Sequence, residues 1–258
     1  MAVNLLPPLS NDDSTMFRDF FTYLTSPNPS ACRQLVRFGG VGDTRDDDGT
    51  PAMDGHKFVC LDPEFALRSS DQCLVYSFGI ATDWSFDMAM ERFGCDVQAF
   101  DPFVNYSSPV EDAIQFTQMA VGDRNERRDG VEVRTLDFFV ERLGHRSSTI
   151  HYLKMDVEYS EYGVLRQQTE QMRASALFRN VEQIGIELHF KEYLPLEKHV
   201  DFYRSFYGIF LAMQEMGFYV FSSEPNLMML PTIDVPGMRE KVTTAMEVVW
   251  LKSSCATR

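Results

Sequence analysis

The sequence predicts an α/β chain of the Rossmann-like kind, with a mostly parallel sheet flanked by helices and an antiparallel last strand. Three observations carry this. Apolar, β-rich runs alternate with amphipathic stretches along most of the 258 residues. From Cys73 to Pro102 the order is strand, glycine turn, helix, strand, acid, as in the first half of a nucleotide-binding unit. The chain then closes on two β-like runs, 219–221 and 246–251, with a Pro-rich segment at about 224–241 and no helix between them.

The nucleotide-like unit opens with Leu74-Val75-Tyr76-Ser77-Phe78 and breaks at Gly79. A helix over about 85–93 stops at Gly94, and 97–100 is a second strand running into Asp101-Pro102. Asp101 follows Gly79 by 22 positions, near the spacing at which a carboxylate reaches ribose hydroxyls. Gly79 lacks a Cβ, so the backbone can turn sharply with a ligand against it. Each charge-assisted bond from Asp101 to a hydroxyl is worth roughly 1.5–3 kcal/mol. The turn lacks the G-x-G-x-x-G of a dinucleotide site, since only Ala81 follows two positions after Gly79. The pyrophosphate of NAD would find few backbone amides there. S-adenosylmethionine, which carries no phosphate, suits the looser turn, and an NAD-dependent oxidoreductase is the weaker rival.

The other elements follow in order. Pro7-Pro8 and Ser10 to Asp13 form a loop, then Thr15 to Leu24 has helical apolar spacing. Residues 25–55 are rich in Pro, Gly and Asp; placing Gly49 sixth in a calcium loop would put Thr44 first and Gly55 twelfth, so this is a solvated loop. The expected division is an N-terminal helix and loop-rich segment, 1–55, and a Rossmann-like domain, 56–258. Within the latter, 58–61 is a short strand and 111–116 a helix end leading to a third strand near 117–121. An edge strand over 131–134 and a helix over 136–143 come next. The fourth principal strand is 150–158 and is followed by a helix over 161–177; the fifth is 183–189, followed by a helix over 202–216. Seven principal strands with that closing pair fit a class I methyltransferase sheet, whose last strand slots in antiparallel beside the fifth.

Composition narrows the function classes. The formal charge of −14 and pI near 4.7 offer no basic field for a nucleic-acid partner. No apolar stretch approaches the roughly 18 residues of a membrane span, and MAVNLLPPLSNDD lacks the basic and apolar regions of a signal peptide. The default placement is cytoplasmic, with the secretory pathway as the alternative should an anchor or signal lie upstream. Five cysteines without a C-x-x-C pair predict no zinc site, and no metal ligands are singled out. They read as buried thiols, with a Cys60–Cys73 disulfide as the sharper alternative.

Ligands of open α/β sheets bind beyond the carboxyl ends of the strands. Four such ends carry polar chemistry here: Ser77 to Gly79, Asp101, Asp156 with Glu158, and Glu187 with His189. Residues two apart on a strand share a face, so Asp156 is expected to align with Glu158, and Glu187 with His189. A carboxylate there can hold the cationic end of a cofactor or orient an acceptor. His189 is the candidate general base. Glu161 is expected to start the next helix, where an acid complements the dipole.

Three segments resemble the methyltransferase-like protein 24 family, near the FkbM-type methyltransferases: CLVYSFGIATDWSFD with GCDVQAFDP, YLKMDVEYSEYGVL, and QIGIELH. The resemblance implies S-adenosylmethionine use, with Ser77, Phe78, Gly79, Asp83, Asp101 and Pro102 toward the cofactor. Asp156, Glu158 and His189 would face a small-molecule or glycan-like acceptor, methylated on a hydroxyl or carboxyl oxygen. Two positions depart from the family pattern: Tyr159 stands where D-V-E is usually followed by Gly, and Ala81 where the turn reads S-F-G-I-G. A catalytically inactive cofactor-binding or interaction module is therefore the alternative reading.

Overall fold

Leu74 to Phe78 is buried at every position, as a strand covered on both faces must be, and it is an interior strand of a seven-stranded sheet. The computed structural model describes residues 4–27, 32–40, 44–45, 51–52, 54–65, 67, 73–104, 114–170, 177–226 and 232–253. The sheet strands are β1 (Leu74–Phe78), β2 (Asp96–Phe100), β3 (Ile114–Thr117), β4 (Tyr152–Met155), β5 (Gln183–His189), β6 (Phe218–Pro225) and β7 (Ala245–Lys252). Their spatial order is β6-β7-β5-β4-β1-β2-β3. The pairs from β5 across to β3 are parallel, whereas β7 runs antiparallel between β5 and β6. This is the Rossmann-like sheet the sequence predicts. The strand order reverses between β1 and β4, which opens a crevice beyond their carboxyl ends.

Helices cover both faces. On one, α1 (Asp13–Thr25) is capped by Asp12, which accepts from Thr15 N at 2.8 Å. Its buried stripe packs on α5 (Val200–Glu215), where Phe20 stacks on Phe210 with centroids 5.4 Å apart. The helices α3 (Leu136–Arg142) and α4 (Glu161–Glu170) share that core. On the other face lie α2 (Ser85–Phe93) and a hairpin of Leu35–Phe38 with Lys57–Cys60. Gln183 of β5 ties the hairpin down, accepting from Cys60 N and donating to Cys60 O, both at 2.9 Å.

Several expectations need correcting. The third strand begins earlier than predicted, at Ile114, while Ala120–Val121 joins Glu126–Arg128 and Val131–Arg134 in a separate three-stranded sheet. Residues 111–113, 171–176 and 227–231, parts of the predicted helix ends and of the Pro-rich segment, lie outside the described residues, as do 46–50 of the acidic loop. The fourth strand stops at Met155, short of the predicted 158.

The four described cysteines are not free, and Cys60 does not pair with Cys73. Cys32 bonds Cys60 and Cys73 bonds Cys95, with Cα–Cα separations of 5.8 and 4.5 Å. The reason is topological: Cys73 and Cys95 enter neighbouring parallel strands in register, while the antiparallel hairpin returns Cys60 to the segment around Cys32. Such pairings cannot be deduced from spacing.

The sequence separations of 28 and 22 residues make each crosslink worth roughly 3.5 kcal/mol by loop-closure entropy. A Cys73→Ser/Cys95→Ser double variant should melt about 10 °C lower than wild type in calorimetry. An unchanged melting temperature would show that this crosslink adds nothing to the fold.

Candidate functional site

The turn after β1 is held from three sides. Gly79 N donates to Phe100 O of β2 at 2.9 Å, and Asp156 N donates to Phe78 O at 3.0 Å. Gly79 has φ +79°, and a Cβ there would lie 1.7 Å from the Asp156 carbonyl oxygen, so any larger residue would drive β4 away. Asp101 completes the clamp. One carboxylate oxygen accepts from Ile80 N (2.9 Å) and Ala81 N (3.0 Å), the other from Phe103 N (2.7 Å) and Val104 N (3.1 Å). Its carboxylate thus organises both loops that would flank a nucleoside. Lys154 of β4 adds a fourth tie, its ammonium donating to Gly79 O.

A cavity of about 730 Å³ opens beyond this turn. Phe78 and Phe100 form part of its lining and stack on each other with centroids 4.5 Å apart. Phe103 stands on the wall beside Pro102 and is 81% exposed, an unusual position for a large apolar ring. Asp83 also lines the cavity, and its carboxylate accepts from Ser85 N at 2.8 Å to shape the entrance to α2.

The far wall is an acid–imidazole cluster. The His189 ring Nδ1 is 3.1 Å from Glu161 Oε1, and the same oxygen accepts from His189 N at 3.1 Å. His189 Nε2 is 3.6 Å from both Glu187 Oε1 and Glu158 Oε2. Asn226 donates to Glu187 Oε1 at 2.7 Å. Buried Lys57, from the hairpin, donates to Glu247 Oε1 at 2.6 Å and lies 4.0 Å from Asp156.

Burial and charge pull these groups in opposite directions. Burial alone would lower the His189 imidazole, but the Glu161 hydrogen bond and the charges of Glu161, Glu158 and Asp156 outweigh it and raise its pKa. Burial likewise opposes the Lys57 ammonium, yet Glu247, Asp156 and Glu187 hold it well above the ordinary lysine range. Glu187 is pushed well up by burial and by the charges of Asp156 and Glu247. Asp156 is lowered despite burial, because Lys57 and Lys154 stabilise its charge and Glu187 hydrogen-bonds to it.

The structure brings most of the predicted residues to one place. Phe78, Gly79, Asp83, Asp101, Pro102, Asp156, Glu158 and His189 all line the cavity. Ser77 does not. Successive strand residues point to opposite faces, so Ser77 lies buried beneath α2 beside Asp87, whose fully buried carboxyl is pushed up by burial. Glu187 and His189 share a strand face as expected, but Asp156 and Glu158 do not. The strand ends at Met155, and Glu158 and Tyr159 take positive φ of 46° and 67°, leaving the Glu158 side chain 74% exposed. Tyr159 is not among the cavity's lining residues; its ring packs on His189 at 5.3 Å. Ala81, the other departure, is also left-handed, at φ +48°.

Sequence reasoning missed Lys57, Lys154, Glu247, Asn226 and Phe103 as participants. It placed Glu161 correctly at the start of α4 but not against His189, 28 residues away. Only the unusual placement of lysines inside apolar β runs could have marked Lys57 and Lys154.

Comparison with known proteins now bears on this geometry. A family model described as a methyltransferase domain matches residues 11–236, most of the chain. The chain belongs to this methyltransferase-domain family. It is 26% identical over 186 residues to the human "Probable methyltransferase-like protein 24", covering 66% of this chain and 48% of the relative. The rat protein of the same name is 28% identical over 142 residues, covering 51% of this chain and 38% of its own length. The matched part of this methyltransferase-domain chain thus spans less than half the length of those relatives.

Two outcomes test this account. The side chain of Ala81 is exposed, so Ala81→Gly relieves left-handed strain with no packing lost, and should stabilise by about 1 kcal/mol, a rise of roughly 2–4 °C in melting temperature. A fall instead would mean the strain is illusory. The second is a pH dependence. His189, Glu161, Glu187 and Glu247 all bind a proton more tightly folded than unfolded. Their contribution is therefore full below the ordinary glutamate and histidine values and is lost as pH rises through the elevated folded ones. Asp156, whose pKa is lowered, adds a constant amount above about pH 5. His151, pulled down by burial, runs the other way, so the useful comparison is with a variant. His189→Gln should lose less melting temperature than wild type between about pH 5 and 8. Parallel curves would refute the raised imidazole.

Proposed function

We propose that this chain binds S-adenosylmethionine and directs its methyl group to an oxygen of a small-molecule or glycan-like acceptor. The observation that carries the reading is the continuity of one cavity from the Gly79 turn to the His189 cluster. Its volume of about 730 Å³ falls within the usual range of small-molecule sites. The residues fit the cofactor. Gly79 and Ala81 bring a turn with little side chain to the cavity wall, Phe103 offers an exposed ring to a flat base, and the Asp101 carboxylate lies beside the groove where ribose hydroxyls would lie. Asp156 and the neighbouring acids supply the negative field that a cationic amine and sulfonium require.

When bound, S-adenosylmethionine supplies a methyl group already activated by its sulfonium. The chain's own tasks are alignment and exclusion of water. Phe78, Phe100 and Pro102 give the groove apolar walls, while Glu158 and His189 face the acceptor side and draw the acceptor's proton toward them. Methyl transfer to oxygen is favoured over transfer to carbon because that wall is polar and acidic. The two disulfides favour an oxidising, secretory-pathway setting over the cytoplasm. The alternative, an inactive module, differs in one respect: it would bind the nucleoside without transferring a methyl group.

Calorimetry with S-adenosylhomocysteine tests the first half. Phe103→Ala should weaken binding about five- to tenfold with no change in melting temperature, and Asp101→Asn at least about tenfold with a lower one. Unchanged affinity in both variants would empty the proposed cofactor groove. A labelled-methyl screen against hydroxyl and carboxyl acceptors tests the second half, with transfer expected from wild type and reduced about a hundredfold in His189→Gln.

A further inference from the structure

Three donors meet at the ends of β4 and β5. Asp156, Glu187 and His189 each place a donor atom within 4.8 Å of the other two. Donors sharing one ion at about 2.1 Å stand roughly 3 to 4.2 Å apart, so the 3.6 Å between His189 Nε2 and Glu187 Oε1 is already of ligand spacing. Glu161 orients the ring. Its Oε1 lies 3.1 Å from Nδ1, which turns Nε2 toward Glu187 and Glu158. At 3.6 Å Nε2 makes no good hydrogen bond to either carboxylate, and a cation between the three would engage all of them. A carboxylate behind a ligating imidazole is the usual outer arrangement of a metal-bound histidine.

An independent observation points the same way. Glu247 of β7 lies directly across the ladder from Glu187 and is only 8% exposed. Lys57 satisfies its Oε1, but its Oε2 is buried with no hydrogen-bond partner. One oxygen of that carboxylate lies within 4.8 Å of both Glu187 and Asp54, so the group adjoins the same centre through Glu187. Asp156, Glu187 and Glu247 thus crowd around Lys57, while the other nearby lysine, Lys154, donates to Gly79 O.

We propose that Asp156, Glu187 and His189 ligate a divalent cation whose remaining coordination positions open into the cavity. Two carboxylates and an imidazole suit an ion of the Mn²⁺ class, with Mg²⁺ and Zn²⁺ as competitors. The site's role rests on the methyl-transfer reading. An acceptor hydroxyl entering an open position is acidified there, and its proton passes to exposed Glu158 and on to water. The oxygen then forms its bond to the methyl carbon as the carbon–sulfur bond breaks, with no oxidant or reductant required. The expected acceptor is therefore one whose reactive hydroxyl is free to bind a metal ion.

The test is titration of Mn²⁺ into the intact chain, free of nucleoside, followed by electron paramagnetic resonance. One ion should bind per chain with Kd below about 100 µM, and Asp156→Asn and His189→Gln should each weaken it at least about tenfold. Should either variant fail to fold, histidine NMR of the wild type takes its place. Substoichiometric Mn²⁺ should then broaden His189 before the other four of the five histidines. No saturable binding, undiminished binding in both folded variants, or earlier broadening at another histidine would each overturn the site. Calorimetry with S-adenosylhomocysteine keeps the two readings apart. Mn²⁺ binding without nucleoside binding leaves the metal site and sinks the methyltransferase reading, and the reverse sinks the metal site alone.

Discussion

The approach of the Asp156 carbonyl to the α-carbon of Gly79 is the contact on which the rest of the site depends. It brings the end of β4 against the turn that follows β1, so the glycine turn and the acid–imidazole cluster share one wall of the cavity. The contact is possible only at glycine, and the neighbouring bonds keep it closed. Gly79 N reaches β2, Asp156 N reaches β1, and the Asp101 carboxylate gathers four backbone N–H groups from the two loops. Four charge-assisted bonds to one carboxylate make the loops rigid before any ligand arrives. Preorganisation of this kind is what a reaction governed by alignment needs from its protein.

That rigidity comes with an electrostatic cost. Closing β4 onto β1 and placing β5 alongside brings carboxylates together in a region with little water. Buried lysines partly offset the crowding: Lys57 is held among Glu247, Asp156 and Glu187, and Lys154 between the glycine turn and Asp87. Removing either would leave acids unpaired in a low dielectric, a loss typically of several kcal/mol. The same field that strains the protein alone would attract a sulfonium or a metal ion. Strain in the free chain and the cation binding proposed above would be two consequences of one charge distribution.

Local signals made much of this legible in the sequence. The bounds of β1 and α2 follow from Gly79 and Gly94, which stop an apolar run and an amphipathic run where the structure stops them. The antiparallel closing strand follows from the absence of a helix between the last two β runs. What escaped is non-local or hidden in dihedral angles. Nothing in Asp156-Val157-Glu158-Tyr159 marks two left-handed residues, and without them the strand reads three residues too long. Cys73 and Cys95 meet because parallel neighbours start level, a matter of register rather than spacing. The pairing of Lys57 with Glu247 spans 190 residues.

That last pairing shows why the antiparallel strand matters to chemistry as well as topology. A parallel β7 would begin at the far edge of the sheet and reach the cavity only at its carboxyl end. Running antiparallel, it begins beside the end of β5, with Ala245 opposite His189 and Glu247 opposite Glu187. Its first residues therefore lie at the ligand end, where a side chain two positions into the strand can join the acid cluster. The carboxylate it brings is tolerable because the N-terminal hairpin runs along that face of the sheet, from Gln183 to the ligand end, and delivers Lys57 there. The hairpin thereby belongs to the electrostatics of the site. Its hold on β5 through Gln183 and its link through the Cys32–Cys60 bond set where that positive charge stands relative to Asp156. A displacement of the hairpin would move Lys57 relative to Glu247 and Asp156 and so shift the charge balance of the cavity wall.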